Sequence, residues 1–279
     1  MTSSNRRAQA KRPMRKPVSG PPPWVTPIAA LAGVALLVVL FLITRWYTTP
    51  VPPRPLAVDA TQIVVMSLAN IPSSELDAVG TGTAKNPIKK VSGALLTGPN
   101  GRPEVFYYGA EFCPFCAAER WPIIVALSRF GTFSGLKTTT SSSSDAYPNT
   151  PTFTFHNATY TSQYTDFVSV ESADRDRNPL EMPTPAQQAL FTQYGTGSIP
   201  FVDFGNQYAF SGAMYFPDVL SGMSWRAIAD SLKQRDSPQA KAILGSANLI
   251  TAAVCKLTAD QPATVCSSSP IQAIEKTLG

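Results

Sequence analysis

The chain is short of charge, histidine and cysteine. Asp, Glu, Lys and Arg make up 15% of its 279 residues, His156 is the sole histidine, and there are four cysteines. One histidine leaves a Cys–His hydrolase or a His-rich metal centre without its parts. Four cysteines are too few for a scaffold built on disulfides at this length. The sequence has neither a Gly-rich phosphate loop nor an internal repeat. Acids are missing from the start: residues 1–23 hold Arg6, Arg7, Lys11, Arg12, Arg15 and Lys16 and no Asp or Glu. From Val51 onward acids outnumber bases 18 to 16, so the formal charge of +5 belongs to a tail. A mildly acidic domain gives nucleic acid nothing to bind. With 44% apolar residues, a wholly disordered chain is excluded.

Charge is also absent from Val25 to Thr44, and aromatic residues Trp24, Trp46 and Tyr47 flank this stretch. Twenty helical residues span about 30 Å, the thickness of a bilayer core. A buried core helix and a cleaved signal peptide share some of these features. The apolar run is longer than a signal peptide needs, and ITRWYTTP after it offers no small-x-small cleavage site. The expectation is an uncleaved single-pass anchor over 24–46. The basic tail 1–23 then lies in the cytoplasm, touching anionic lipid, and the rest of the chain is extracytoplasmic.

Pro50, Pro52, Pro53 and Pro55 form a semi-rigid stalk. Residues 47–94 read as that stalk plus an N-terminal extension, with Ile63–Leu68 of strand type and a short helix over 72–79. Leu95–Thr97 and Glu104–Tyr108 read as strands joined by a tight turn. A helix over 117–128 should bury Trp121, Ile124 and Leu127 as a stripe. Residues 137–183 are a Ser/Thr-rich insertion with short strands near 152–156 and 167–170. A helix over 185–194, a hairpin around Gly205-Asn206, and helices over 225–233, 238–256 and 270–278 complete the chain. These divide it into a domain over 95–236 and a C-terminal helical extension over 237–279.

Cys113-Pro114-Phe115-Cys116 sits between an apolar strand and a helix. The first helical turn carries free N–H groups and the positive end of the macrodipole, and both favour a thiolate. A cysteine placed there can titrate at about 3.5–7.5 instead of about 8.5. Cys113 is the expected exposed nucleophile and Cys116 the resolving thiol, with Pro114 helping to start the helix. A zinc half-site and an inert pair are the competing readings. Zinc needs three or four ligands, and the other two cysteines lie far along the chain, so no metal is expected.

Strand, CxxC and helix, followed much later by Gly197-Ser198-Ile199-Pro200 and an apolar strand, resemble the thioredoxin-fold oxidoreductases. The resemblance implies an α/β fold with a central mixed sheet flanked by helices. It also implies that Pro200 lies against the cysteine pair and aligns the partner chain. Phe112 stands where thioredoxins carry Trp, and the dipeptide Pro114-Phe115 is neither Gly-Pro nor Pro-His. The anchor, the run from Glu111 to Trp121 and the Ser-rich insertion are also similar to a domain-of-unknown-function family of membrane-anchored thioredoxin-like proteins.

Among other residues, Glu119 lies one turn beyond Cys116, either as its proton partner or on a solvated helix face. Phe112, Phe115 and Ile199 are candidates for an apolar substrate rim, as are Tyr108 and Phe201, with Tyr107 more suited to the core. Cys255 and Cys266 read as a structural disulfide or as a second redox pair relaying electrons. The expected function is thiol–disulfide exchange on exported thiol-containing proteins, in the oxidase or isomerase direction because the compartment is oxidising. A membrane redox partner or small thiols would recharge the pair, and no cofactor is needed. A non-catalytic binding module and a reductase of a dedicated maturation pathway are the alternatives.

Overall fold

The structure, a computed structural model, describes residues 35–45 and 59–278. The basic tail, the first part of the expected anchor, its last residue Trp46 and the Pro-rich stalk lie outside the described residues. Within the anchor, Ala35–Arg45 is helical (α1), and its apolar side chains from Leu36 to Ile43 are exposed. Among the described residues one helix, Pro238–Leu257, is long and apolar enough to cross a membrane. That helix is largely buried and serves as a core helix of the second unit, residues 58–279.

This unit opens with α2 (Ala60–Ala69), where a strand was expected. A short apolar run reads either way by pattern. Here the Asp59 carboxylate caps the Thr61 N–H, and Val64, Val65 and Leu68 are buried at helical spacing. The short helix expected over 72–79 is α3 (Ser73–Val79); Pro72 precedes it without a side-chain cap, and Gly80 follows it. The two-residue strand β1 (Lys89–Lys90) follows. The expected strand over 95–97 reduces to a bridge between Thr97 and Pro103, leading into β2 (Glu104–Gly109).

After β2 come α4 (Pro114–Leu127), β3 (Gly131–Ser134), β4 (Lys137–Thr140), β5 (Pro151–Thr154), β6 (Thr159–Ser162) and β7 (Asp166–Glu171). Helix α5 (Pro185–Tyr194) has a Thr184–Gln187 capping box and leads to the hairpin β8 (Phe201–Phe204) and β9 (Tyr208–Ser211). The chain closes with a 3-10 turn (Pro217–Leu220), α6 (Trp225–Ser231), α7 (Pro238–Leu257), α8 (Ala263–Cys266) and α9 (Ser269–Glu275).

The central sheet runs β1-β9-β8-β2-β7, with β2 and β7 parallel and the other neighbours antiparallel. Strand β2 is central and apolar on both faces, as a doubly covered strand must be. Alternation sends Val105 and Tyr107 to the core that α4 and α7 cover. Phe106 joins Val170 and Phe201 on the opposite face, where Leu190, Phe191 and Tyr194 of α5 close over them. The Ser/Thr-rich region is therefore part of the architecture: it supplies edge strand β7, the pair β4–β5, and β6, which pairs with β3 just before it.

Helix α4 differs from the expected stripe. Every residue in it except Phe115 is buried. The hairpin β4–β5 covers the Trp121 side of the helix. Trp121 Nε1 donates to the Pro151 carbonyl (2.9 Å), and Thr152 Oγ1 to that of Ala117 (2.8 Å). Tyr215 Oη donates to the Ala118 carbonyl (2.6 Å) from another side. The C-terminal residues are equally integral, since α7 packs on α4 in the same apolar core.

Close approach of α7 to the loop after α3 depends on Gly245. A Cβ at that position would overlap the Thr81 carbonyl oxygen. Gly→Ala inside a helix is ordinarily stabilising by up to about 1 kcal/mol. Here the clash reverses the sign, and Gly245→Ala is expected to destabilise by about 1–3 kcal/mol in chemical denaturation. An unchanged or raised midpoint would show that this contact does not hold α7 in place.

Candidate functional site

Strand β2 ends at Gly109, and three residues turn the chain into α4. The Cys113 N–H donates to the Ala110 carbonyl (3.3 Å), which sets Cys113 as the N-cap. Its Sγ accepts from the Cys116 N–H at 3.3 Å. Pro114 occupies the first turn, where no N–H is required. The Cys113 thiol faces the Ile199 carbonyl at 3.9 Å, and the Ile199–Pro200 peptide is cis. Pro200, which leads directly into β8, is buried. Residues 113, 116, 199 and 200 are thus assembled from positions more than eighty residues apart.

Both site cysteines are free thiols. Cys113 was expected to be exposed, but only 6% of it is, because the Ile199 loop and the Phe112–Phe115 backbone enclose it. Cys116, one turn deeper, is fully enclosed. Their titrations separate. The hydrogen bond with the Cys116 side chain pulls the Cys113 thiol below its ordinary value against the effect of burial. The N–H groups of Cys116 and Phe115 and the Arg120 charge act in the same direction. Burial pushes Cys116 well up, and the interaction with Cys113 adds to it. One thiol is poised to ionise and the other to keep its proton.

Of the rim candidates, Phe112, Phe115, Tyr108 and Ile199 are half-buried, whereas Tyr107 and Phe201 are fully buried core residues. The Phe115 ring meets Tyr147 (5.8 Å) and Phe216 (6.4 Å) edge-on. Phe216 is 52% exposed, with Lys85 Nζ 5.3 Å from its ring centroid. The Arg177 guanidinium covers Phe112 at 4.1 Å. A cavity of about 80 Å³ lies between Lys85, Phe115, Met214 and Phe216. Tyr147 and Phe216 escaped the sequence reading because each arrives on a loop distant in the chain.

Glu119 is fully buried, so it does not sit on a solvated helix face. Its Oε2 accepts from the Met214 N–H (3.0 Å), while Oε1 has no partner. Burial raises its pKa to about 8. The observed partner is therefore the loop carrying Phe216, not a thiol.

The next residue, Arg120, drew no attention in the sequence. It is fully buried and pairs bidentately with Glu171: Nε to Oε1 at 2.8 Å and Nη2 to Oε2 at 2.6 Å. Burial works against the guanidinium charge, but the Glu171 carboxylate overrides it. The only sequence clue was a spacing of four from Cys116, one face of one helix. Beyond Glu171, its N–H donates to Glu181 Oε2 (2.7 Å), and Glu181 Oε1 meets His156 Nδ1 (2.7 Å).

Cys255 and Cys266 form a disulfide that ties α7 to α8. A bridge closing so short a loop contributes about 2–4 kcal/mol. Among the described residues no three His, Cys, Asp or Glu side chains converge to hold a metal ion.

The fold and site together define a mixed α/β protein with a buried dithiol at a helix N-terminus. The chain belongs to the family described as a domain of unknown function, DUF929, whose model matches residues 87–256. The match takes in the whole central sheet, both site cysteines, Pro200 and Cys255, and stops short of Cys266. No curated protein and no solved structure gives a significant match.

Glu119 also makes stability depend on pH. Its folded pKa, about 8, lies above the ordinary 4.5, so the folded protein keeps the proton longer than the unfolded chain. Stability from this group is full below about pH 4.5 and is lost as pH rises through about 8. Glu119→Gln keeps the acceptor for Met214 and should flatten that loss in denaturation midpoints taken across this range. An equally steep loss in the variant would remove Glu119 as its source.

Proposed function

We propose that the protein is a membrane-anchored, extracytoplasmic thiol–disulfide oxidoreductase with a thioredoxin-type fold, acting on exported proteins. The observation that carries this reading is the asymmetry of the pair: Cys113 favoured as a thiolate at the N-cap of α4, Cys116 buried and protonated behind it. The β2–α4–β7 unit, the antiparallel pair β8–β9 and the position of Pro200 agree with the fold that the resemblance implies. The Cys255–Cys266 disulfide supports an oxidising compartment, and with it the oxidase or isomerase direction. The uncharged run over 25–44 supports the anchor.

In the oxidase direction, a partner thiolate attacks Cys113 Sγ of the oxidised pair. The Cys113–Cys116 bond breaks, and the electron pair leaves on Cys116. A second partner thiolate then attacks the partner sulfur, forms the partner disulfide and releases Cys113 as a thiolate. The partner is oxidised and the dithiol reduced, and a membrane redox partner or a small-molecule disulfide reoxidises it by accepting the two electrons. Ile199 and Pro200 align the incoming chain, while Phe112, Phe115 and Phe216 offer it apolar contact.

The 6% exposure of Cys113 favours a second reading, a binding module whose dithiol is silent. A Cys116→Ser variant distinguishes the two. Exchange predicts that Cys113 of this variant attacks disulfides of exported proteins, releasing one partner thiolate, and that the mixed disulfide accumulates; it is lost in Cys113→Ser. Equal yields from both variants, or none from either, would favour the binding module.

A further inference from the structure

The interior behind Cys116 holds charge that packing alone does not require. Cys116 and Arg120 are four residues apart on α4 and share a face of the helix. Both are fully buried. Arg120 uses Nε and Nη2 on Glu171, and its Nη1 has no partner. Its guanidinium lies 5.8 Å from the ring of Tyr107, whose hydroxyl is likewise buried without a partner. That hydroxyl reaches back to Gly109, at the end of β2, where a side chain would collide with it. The next residue, Ala110, directs its N–H towards Cys116. Two buried donors without acceptors therefore lie beside Cys116, the deeper of the two site thiols. A buried donor left without an acceptor is costly, so its retention here needs an occasion on which it is used.

We infer that Arg120, held in place by Glu171 and assisted by Tyr107, is the charge partner of the Cys116 thiolate formed during exchange. The inference rests on the proposed exchange reaction. When the Cys113–Cys116 bond breaks, Cys116 leaves with the electron pair in a fully buried position; in the reverse step it must ionise there before attacking Cys113. Arg120 Nη1 and the Tyr107 hydroxyl donate to that sulfur, and its proton is finally exchanged with solvent. The other charged groups around it do not replace Arg120. Cys113 is a competing thiolate, Glu171 is neutralised by Arg120, Glu111 is another acid that acts on Glu171, and Glu119 is bonded to Met214.

The reduced full-length protein is mixed with a chromogenic aryl disulfide. Cys113 attacks it, releasing one aryl thiolate and forming a mixed disulfide. Cys116 then loses its proton to water and attacks Cys113 Sγ, closing the Cys113–Cys116 bond and releasing the second aryl thiolate. The first phase reads Cys113 and the second reads Cys116. In Arg120→Met the first phase should slow by only about threefold, because Arg120 is a minor contributor to the Cys113 thiolate. The second should slow by about tenfold or more, with its pH midpoint moved up by about one unit. Arg120→Lys should recover part of the rate, and Tyr107→Phe should slow the second phase less than Arg120→Met. If Arg120→Met fails to fold, Arg120→Met/Glu171→Met removes both charges and gives the same readout. A normal second phase and midpoint in the Met variants overturns the role of Arg120 while leaving exchange intact. A wild-type first phase no faster than a free thiol overturns exchange, and this inference with it.

Discussion

The structure turns on the way α4 is set into the protein. Its first-turn N–H groups are unused by the helix and converge on Cys113 Sγ, while the remaining turns are enclosed by the sheet, α7 and the β4–β5 hairpin. A helix exposed along one side would let water compete for these donors and screen the Arg120 charge. Enclosure makes both effective at the sulfur. The same enclosure raises the cost of ionising Cys116, so one structural fact divides the two thiols into different roles.

Several features distant from the cysteines serve this enclosure. Trp121 and Thr152 tie α4 to β5, and Tyr215 and Glu119 fasten the loop that brings Phe216 beside Phe115. The Cys255–Cys266 bridge pins the end of α7, the helix that backs α4. Glu171 comes from β7 and restrains Arg120 from across the sheet. Carboxylates buried in this way cost stability unless they are paired or protonated. Glu171 follows the first route and Glu119 the second.

Much of this was legible in the sequence where a local signal existed. The extent of α5 expected from the sequence, 185–194, matches the structure, as does the β8–β9 hairpin expected from Gly205-Asn206 between apolar runs. The dithiol and its place at a helix start were equally clear from strand, CxxC and Pro114. Long-range contacts were not. Ile63–Leu68 carries no period that separates strand from helix, and its packing decided the outcome. Arg120 looked like an ordinary helical cation because its partner stands 51 positions away. Tyr147 and Phe216 joined the rim through loops whose course no short pattern encodes. Cys113 seemed exposed because the chain that covers it, around Ile199, lies in another part of the sequence.

The central claim is that Cys113 is a stabilised thiolate and Cys116 is not. The most direct test follows thiolate absorbance in the ultraviolet across a pH titration of the reduced protein, with Cys113→Ser and Cys116→Ser to assign the signals. The account predicts one transition below the free-thiol value of about 8.5, lost in Cys113→Ser, and a second well above it, lost in Cys116→Ser. Two transitions both at or above the free-thiol value would contradict it.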